Sequence, residues 1–149
     1  MSWSEYSNGV TLETEDTYEI TARQTDVAGN VSDSALSIII TIDRSGPPAP
    51  TVQGIMEGSY NTSQSFTISG ESGAEIECST DGGGTWFVYG GPVTLSSEGI
   101  YLITSRQTDA AGNSSSESAA LTVEIDKTNP AVPGIQGIAE GTFTTDQQF

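Results

Sequence analysis

The sequence predicts an all-β fold built from tandem β-sandwich repeats with an 83-residue period, and three observations carry that prediction. Ser, Thr, Gly and Ile are plentiful while Leu, Lys and Arg are scarce, a balance that favours strands and turns over helices. The octapeptide RQTDVAGN at 23–30 returns as RQTDAAGN at 106–113. Short runs of alternating apolar and polar residues lie between glycine- and proline-bearing turn signals.

The octapeptide belongs to a longer repeat. Slid along itself by one period, Trp3–Phe66 aligns with Trp86–Phe149 without a gap, and 29 of the 64 pairs are identical. Many other pairs keep the same character, such as Ile38 with Leu121, Ile40 with Val123 and Tyr60 with Phe143. A gapless repeat of this length marks one folding unit per period. The complete unit is read at 44–126; residues 1–43 form the C-terminal half of a preceding unit, and 127–149 the start of a following one.

Seven strands are expected in the complete unit. Strand A is read over 50–55, B over 65–70, and C over 74–79 from the alternation of Ala74, Ile76 and Cys78. A glycine turn at 81–84 leads to C′ over 86–89. E follows at 92–95, F at 101–108 with Tyr101, Ile103 and Ser105 on one face, and G at 121–125, half-buried through Leu121, Val123 and Ile125. Seven short strands in roughly 80 residues suit two packed sheets. The expected core is Ile76, Tyr101, Ile103, Leu121, Val123 and Ile125. By the same phase, 1–43 should carry C′, E, F and G, and 127–149 should carry A and the beginning of B. The first part would then expose an apolar face of Tyr18, Ile20, Ile38, Ile40 and Ile42. The acidic stretch Glu13–Asp16 reads as a solvated E–F turn.

Composition narrows function. A formal net charge of −16 with four basic residues argues against nucleic acid, whose phosphates require Lys and Arg, and against anionic membrane surfaces. It suits cations and a self-repelling, soluble polymer. Histidine is absent, which removes imidazole chemistry, and one cysteine, Cys78, forms neither an internal disulfide nor a cysteine-rich zinc site. It reads as a small buried hydrophobe. No apolar run approaches the roughly 18 residues of a membrane span. The opening MSWSEYSNG lacks a signal peptide, so an export address would lie elsewhere in a longer parent.

The strings STDGGGTWFVY, EGIYLITSRQTDAAGN and LTVEIDKTNPAVP resemble the bacterial Ig-like repeats of large surface adhesins and biofilm proteins. The resemblance covers the complete unit and both partial copies. It implies an Ig-like or fibronectin-III-like sandwich, an extracellular place on a bacterial cell surface, and junctions commonly stiffened by calcium. Related sandwiches also serve as spacers in secreted glycosidases.

The sandwich strand order places the F–G loop beside the linker arriving from the preceding unit. Asp109 and Asn113 should therefore lie near Asp43, with the B–C loop residues Glu71 and Glu75 opening at the same pole. Asp43, Asp109, Asn113 and Glu71 are the candidate metal ligands, and Ca²⁺ the candidate cofactor, because oxygen ligands from two units suit a hard cation. The competing reading is a self-sufficient turn, with Asp capping loop amides while Gly and Asn supply unusual backbone conformations. No catalytic residues are assigned. Glu75 and Glu77 share a strand face, as the two acids of a glycosidase do, but no cleft is evident. Trp86 and Tyr89, matched by Trp3 and Tyr6, fall on opposite faces, so one belongs to the core and one is free to stack on a sugar. Tyr101 and Tyr18 read as tyrosine corners.

Three functions follow as expectations. The leading one is a structural stalk or spacer whose partners are neighbouring repeats, its proline-bearing junctions limiting motion. The others are a filament subunit joined head to tail by strand complementation, which would be a homo-oligomer, and a carbohydrate-binding module of a secreted enzyme. Enzymatic activity is not expected.

Overall fold

The computed structural model describes residues 3–137 and 140–146, and every regular element among them is a strand. β1 (Asp16–Ile20) and β2 (Ile38–Ile42) pair antiparallel as a two-stranded ribbon. Eight further strands follow: β3 (Thr51–Gln53), β4 (Gly58–Tyr60), β5 (Gln64–Ser69), β6 (Glu75–Ser79), β7 (Phe87–Val88), β8 (Val93–Leu95), β9 (Gly99–Thr108) and β10 (Leu121–Ile125). They form a five-stranded sheet of order β4-β10-β9-β6-β7 and a three-stranded sheet of order β3-β5-β8.

Alternation along β9 decides which way the larger sheet faces. Ile103, Ser105 and Gln107 are buried and Tyr101 half-buried, whereas Ile100 and Leu102 point outward. The antiparallel register sets Leu121 opposite Ile103 and Val123 opposite Tyr101. Ile103, Val123 and Ile125 thereby meet Cys78 of β6 on one side of the core, and Phe66, Ile68 and Leu95 of the smaller sheet on the other. Two sheets closing on one apolar core make a β-sandwich arrangement. Each fully buried Phe, Ile or Val contributes about 1.5–3 kcal/mol, so this cluster is the main stabilising term of residues 51–125.

The expected strands A, B, C, C′, E, F and G correspond to β3, β5, β6, β7, β8, β9 and β10. Of the expected core, Ile103, Val123 and Ile125 are fully buried, while Ile76, Tyr101 and Leu121 pack partly buried against them. β4 has no counterpart among the expected strands. It pairs parallel to β10, with Gly58 opposite Val123 and Tyr60 opposite Ile125. Tyr101 and Tyr18 do form corners, donating their hydroxyls to Ser97 O and Thr14 O at 3.0 Å. Tyr60 makes the same contact to Met56 O at 3.0 Å.

The flanking segments differ from expectation in one consistent way. Of C′, E, F and G, only F and G form in the N-terminal part, as β1 and β2. The described residues of 127–149 form no strand where A was expected; the beginning of B falls on 147–149, outside the described residues. The cause is pairing. In the complete unit β7 hydrogen-bonds to β6, β8 to β5, and β3 to β5. Their counterparts have no such neighbour, and an isolated strand leaves its backbone groups to water.

Candidate functional site

A cluster of long-range hydrogen bonds lies where the chain passes from the β1–β2 ribbon into the sandwich. Gln107 occupies the last inward position of β9 and is 1% exposed. Its Nε2 donates to Pro48 O at 2.6 Å, and its Oε1 accepts the Glu71 amide at 2.9 Å. One buried side chain therefore ties the incoming linker to the β5–β6 loop. A second contact is steric: a Cβ on Gly46 would lie 2.5 Å from Ser114 O, so only glycine lets the linker run this close to the β9–β10 loop. Pro47 and Pro50 are buried beneath it.

The repeated octapeptide supplies the loop itself. Asp109 Oδ1 accepts the amides of Ala111 at 2.9 Å and Asn113 at 2.8 Å, and Oδ2 accepts Asn113 Nδ2 at 3.0 Å. Gly112 takes φ 92°, the left-handed conformation that closes the turn. Asp26, Gly29 and Asn30 reproduce this at 26–30, with Asp26 Oδ1 accepting Ala28 N at 2.9 Å and Asn30 N at 2.8 Å. Desolvation pushes the Asp109 carboxyl upward, yet the bonds from Asn113, Ala111 and Gly112 together hold it below its ordinary value. For Asp26 the Asn30 side chain leads the same downward shift.

The preceding unit holds the linker from its own side. Ser45 donates its hydroxyl to Glu15 Oε1 at 2.7 Å and its amide to Asp43 Oδ1 at 3.0 Å. At the exit of the sandwich the arrangement recurs one period further on. Thr128 donates its amide to Asp126 Oδ1 at 2.9 Å and its hydroxyl to Glu98 Oε1 at 3.1 Å. Glu98 also accepts the Lys127 amide at 2.7 Å, while Lys127 Nζ donates to Ser96 O at 2.7 Å. The turn expected to be merely solvated at Glu13–Asp16 thus has a structural task, because Glu15, like Glu98, anchors a linker.

Of the four candidate metal ligands, the structure brings three into one place. Asn113 Nδ2 donates to the Asp43 carbonyl at 3.2 Å as well as to Asp109. The Asp43 contact is thus made by backbone, its carboxylate being turned to Ser45. Glu71 stands on the adjoining loop and enters the network through its amide. Among the described residues, no group of three or more His, Cys, Asp or Glu side chains is placed to hold a metal ion.

Three of the four aromatic candidates are engaged within the fold, while Tyr6 is exposed. Arg106 lies over the Trp86 ring at 4.3 Å and donates Nε to Glu77 Oε2 at 2.8 Å; Arg23 covers Trp3 at 4.1 Å. Trp86 also donates Nε1 to Gly83 O at 3.1 Å. Tyr89 is the partner that packs on the core, and its hydroxyl accepts the Ile68 amide at 3.0 Å. Just before Trp86 the chain makes a turn in which Asp81 accepts Thr85 Oγ1 at 2.7 Å, Thr85 N at 2.9 Å and Ser79 Oγ at 2.7 Å. Those bonds, Thr85 foremost, lower Asp81 to about 2. Burial raises Cys78 to about 11, which keeps it a protonated, unreactive thiol.

No helix among the described residues is long and apolar enough to cross a membrane. No protein-family model matches the chain, and no curated protein sequence matches it.

Proposed function

We propose that this chain is a length of extracellular stalk, in which tandem Ig-like sandwich units hold a tip domain away from a bacterial surface. The observation that carries the reading is the linker held from both sides, by Glu15 through Ser45 and by Gln107 and Asn113 through Pro48 and Asp43. A linker fixed to both of its units transmits orientation, which a spacer requires and an enzyme does not. The acidic surface adds self-repulsion between neighbouring stalks. Calcium, in this proposal, would add to a junction that hydrogen bonds already close. A carbohydrate module is the weaker reading, since a guanidinium covers one face of both Trp3 and Trp86.

Small-angle scattering on chains of two, three and four successive repeat units tests the proposal. A stalk gives a maximum dimension rising by a constant increment per unit. Growth with the square root of the number of units would mean freely jointed beads and would overturn it.

A further inference from the structure

The outward face of the larger sheet holds two aliphatic side chains in water. Ile100 and Leu102 of β9 are 69% and 41% exposed, and the strand does not need them there. Their counterparts one period earlier are Thr17 and Glu19, in a strand that pairs just as regularly. Thr17 meets Thr41, the counterpart of Glu124, through a hydroxyl contact of 3.2 Å. Both threonines stay exposed although a following sandwich is present in the chain. A neighbouring unit therefore does not cover this part of the sheet.

Acids wall the same place. The antiparallel register sets Glu124 opposite Ile100 and Thr122 opposite Leu102, and the parallel one sets Ser59 opposite Glu124. Glu57, Ser59, Thr122 and Glu124 thereby line a shallow groove that contains Ile100. One oxygen of each carboxylate is committed: Glu124 Oε2 accepts the Ser59 hydroxyl at 2.5 Å, and Glu57 Oε1 accepts the Thr122 amide at 3.4 Å. Those bonds orient the two heads and leave the other oxygen of each for an incoming donor. β4 is the edge of its sheet, so the groove opens sideways as well as outward.

We propose that this groove docks a basic, extended peptide segment of a partner protein, one that sets an Arg or Lys beside an aliphatic residue. Such a cation lays its methylene stem along apolar surface and keeps its charged head at the rim. The stem meets Ile100, the head reaches Glu57 and Glu124, and the adjoining aliphatic residue covers Leu102. The chain itself does not supply the cation. Of its four basic residues, Arg23 and Arg106 lie over Trp3 and Trp86, and Lys127 donates to Ser96 O and Ser63 Oγ. Arg44 follows Asp43, which Asn113 holds at the far end of β9; the strand between 100 and 108 alone spans about 27 Å. The net charge of −16 steers a basic partner inward and opposes the approach of a second copy. Docking is independent of the stalk reading, and either stands if the other fails.

Fluorescence anisotropy of the full chain with a labelled peptide of alternating Arg and Val tests the proposal, beside an equally charged peptide of alternating Arg and Gly. The Arg–Val peptide is expected to bind, and the Arg–Gly peptide to bind about tenfold more weakly. Glu57→Gln combined with Glu124→Gln should weaken the Arg–Val peptide about five- to tenfold, the worth of two exposed ion pairs. Glu19→Gln combined with Glu117→Gln removes as many charges elsewhere and should leave its affinity unchanged. Ile100→Thr should abolish the preference for Val over Gly. Amide shifts in nitrogen-15 spectra are expected at 57–59, 100–102 and 122–124. Equal affinity for the two peptides, or equal losses in the two double variants, would reduce the contact to bulk charge attraction and overturn the proposal. No binding, or shifts confined to other residues, would do the same. Self-association of the wild type that Arg44→Gln removes would make the occupant a second copy and would also overturn it.

Discussion

Gln107 and Pro48, distant in sequence, are joined by an amide-to-carbonyl bond of 2.6 Å inside the junction. The carbonyl oxygen of the same side chain takes the Glu71 N–H. One loop and a linker thus depend on one buried side chain.

Replacing Gln107 with Leu fills the same space and leaves the Pro48 carbonyl and Glu71 amide without this partner. Each orphaned group costs about 1–3 kcal/mol, so urea unfolding of the full chain should show a loss of about 2–6 kcal/mol. Gln107→Glu separates the two bonds. It keeps an acceptor for Glu71 but turns a carboxylate oxygen toward Pro48 O, so the linker should loosen while the β5–β6 loop holds. Amide hydrogen exchange at residues 44–50 and 71–73 would resolve the two effects.

Gly46→Ala should open the junction without touching the core. The new methyl lands 2.5 Å from Ser114 O, so backbone must move, at a cost of about 1–3 kcal/mol. The ribbon should change its angle to the sandwich, read as a changed scattering profile with unchanged far-ultraviolet circular dichroism. An unaltered profile would show that the linker's path does not depend on this approach.

Asp81 sets an acid limit on its turn. Its folded pKa is depressed to about 2 from an ordinary 3.8, so the folded state prefers the charged form. That contribution is complete above the ordinary value and is lost as pH falls from about 4 towards 2. Asp81→Asn should flatten this part of the stability–pH curve. A carbon-13 titration of the Asp81 carboxyl giving an ordinary midpoint would refute the assignment.

Calcium should matter little to the junction's closure, because the Asp109 oxygens already accept three hydrogen bonds. Melting curves in chelator and in calcium at about 1 mM, the range of extracellular modules, are expected nearly to coincide. A rise of several degrees that vanishes in Asp109→Asn would instead make the ion part of the clamp.

Legibility in the sequence followed periodicity. β10 was readable to the residue because Leu121, Val123 and Ile125 alternate cleanly; β9 was readable from Tyr101, Ile103 and Ser105, but it begins two residues before the expected start, at Gly99. The same alternation places Gln107 inward, but nothing local names Pro48 and Glu71 as its partners; that took the closed sandwich. β4 was hidden because Gly58, Ser59 and Tyr60 are too few and too polar to show a period, and its parallel partner, β10, lies at the opposite end of the unit. Glu15 looked like any solvated acid. Its signal was the repeat, since Glu98 is the one acid kept at the matching turn. Asp109 and Asn113 were found by the octapeptide, whose recurrence reflects a turn that caps itself.

The parallel pairing of β4 with β10 joins the first strand of the larger sheet to its last. Tension applied to the two ends of a unit drags these strands past each other along their own lengths. The bonds around Gly58–Val123, Ser59–Glu124 and Tyr60–Ile125, with Asp126 N on Tyr60 O at 2.9 Å, are then loaded together and must break together, whereas a hairpin pulled at its ends unzips one bond at a time. A stretched array of such units should therefore yield in discrete high-force steps, one per sandwich, in single-molecule pulling. Peeling at low force would mean that the load bypasses β4. In the proposed stalk, the geometry that seals the core is also a mechanical latch on the line of strain.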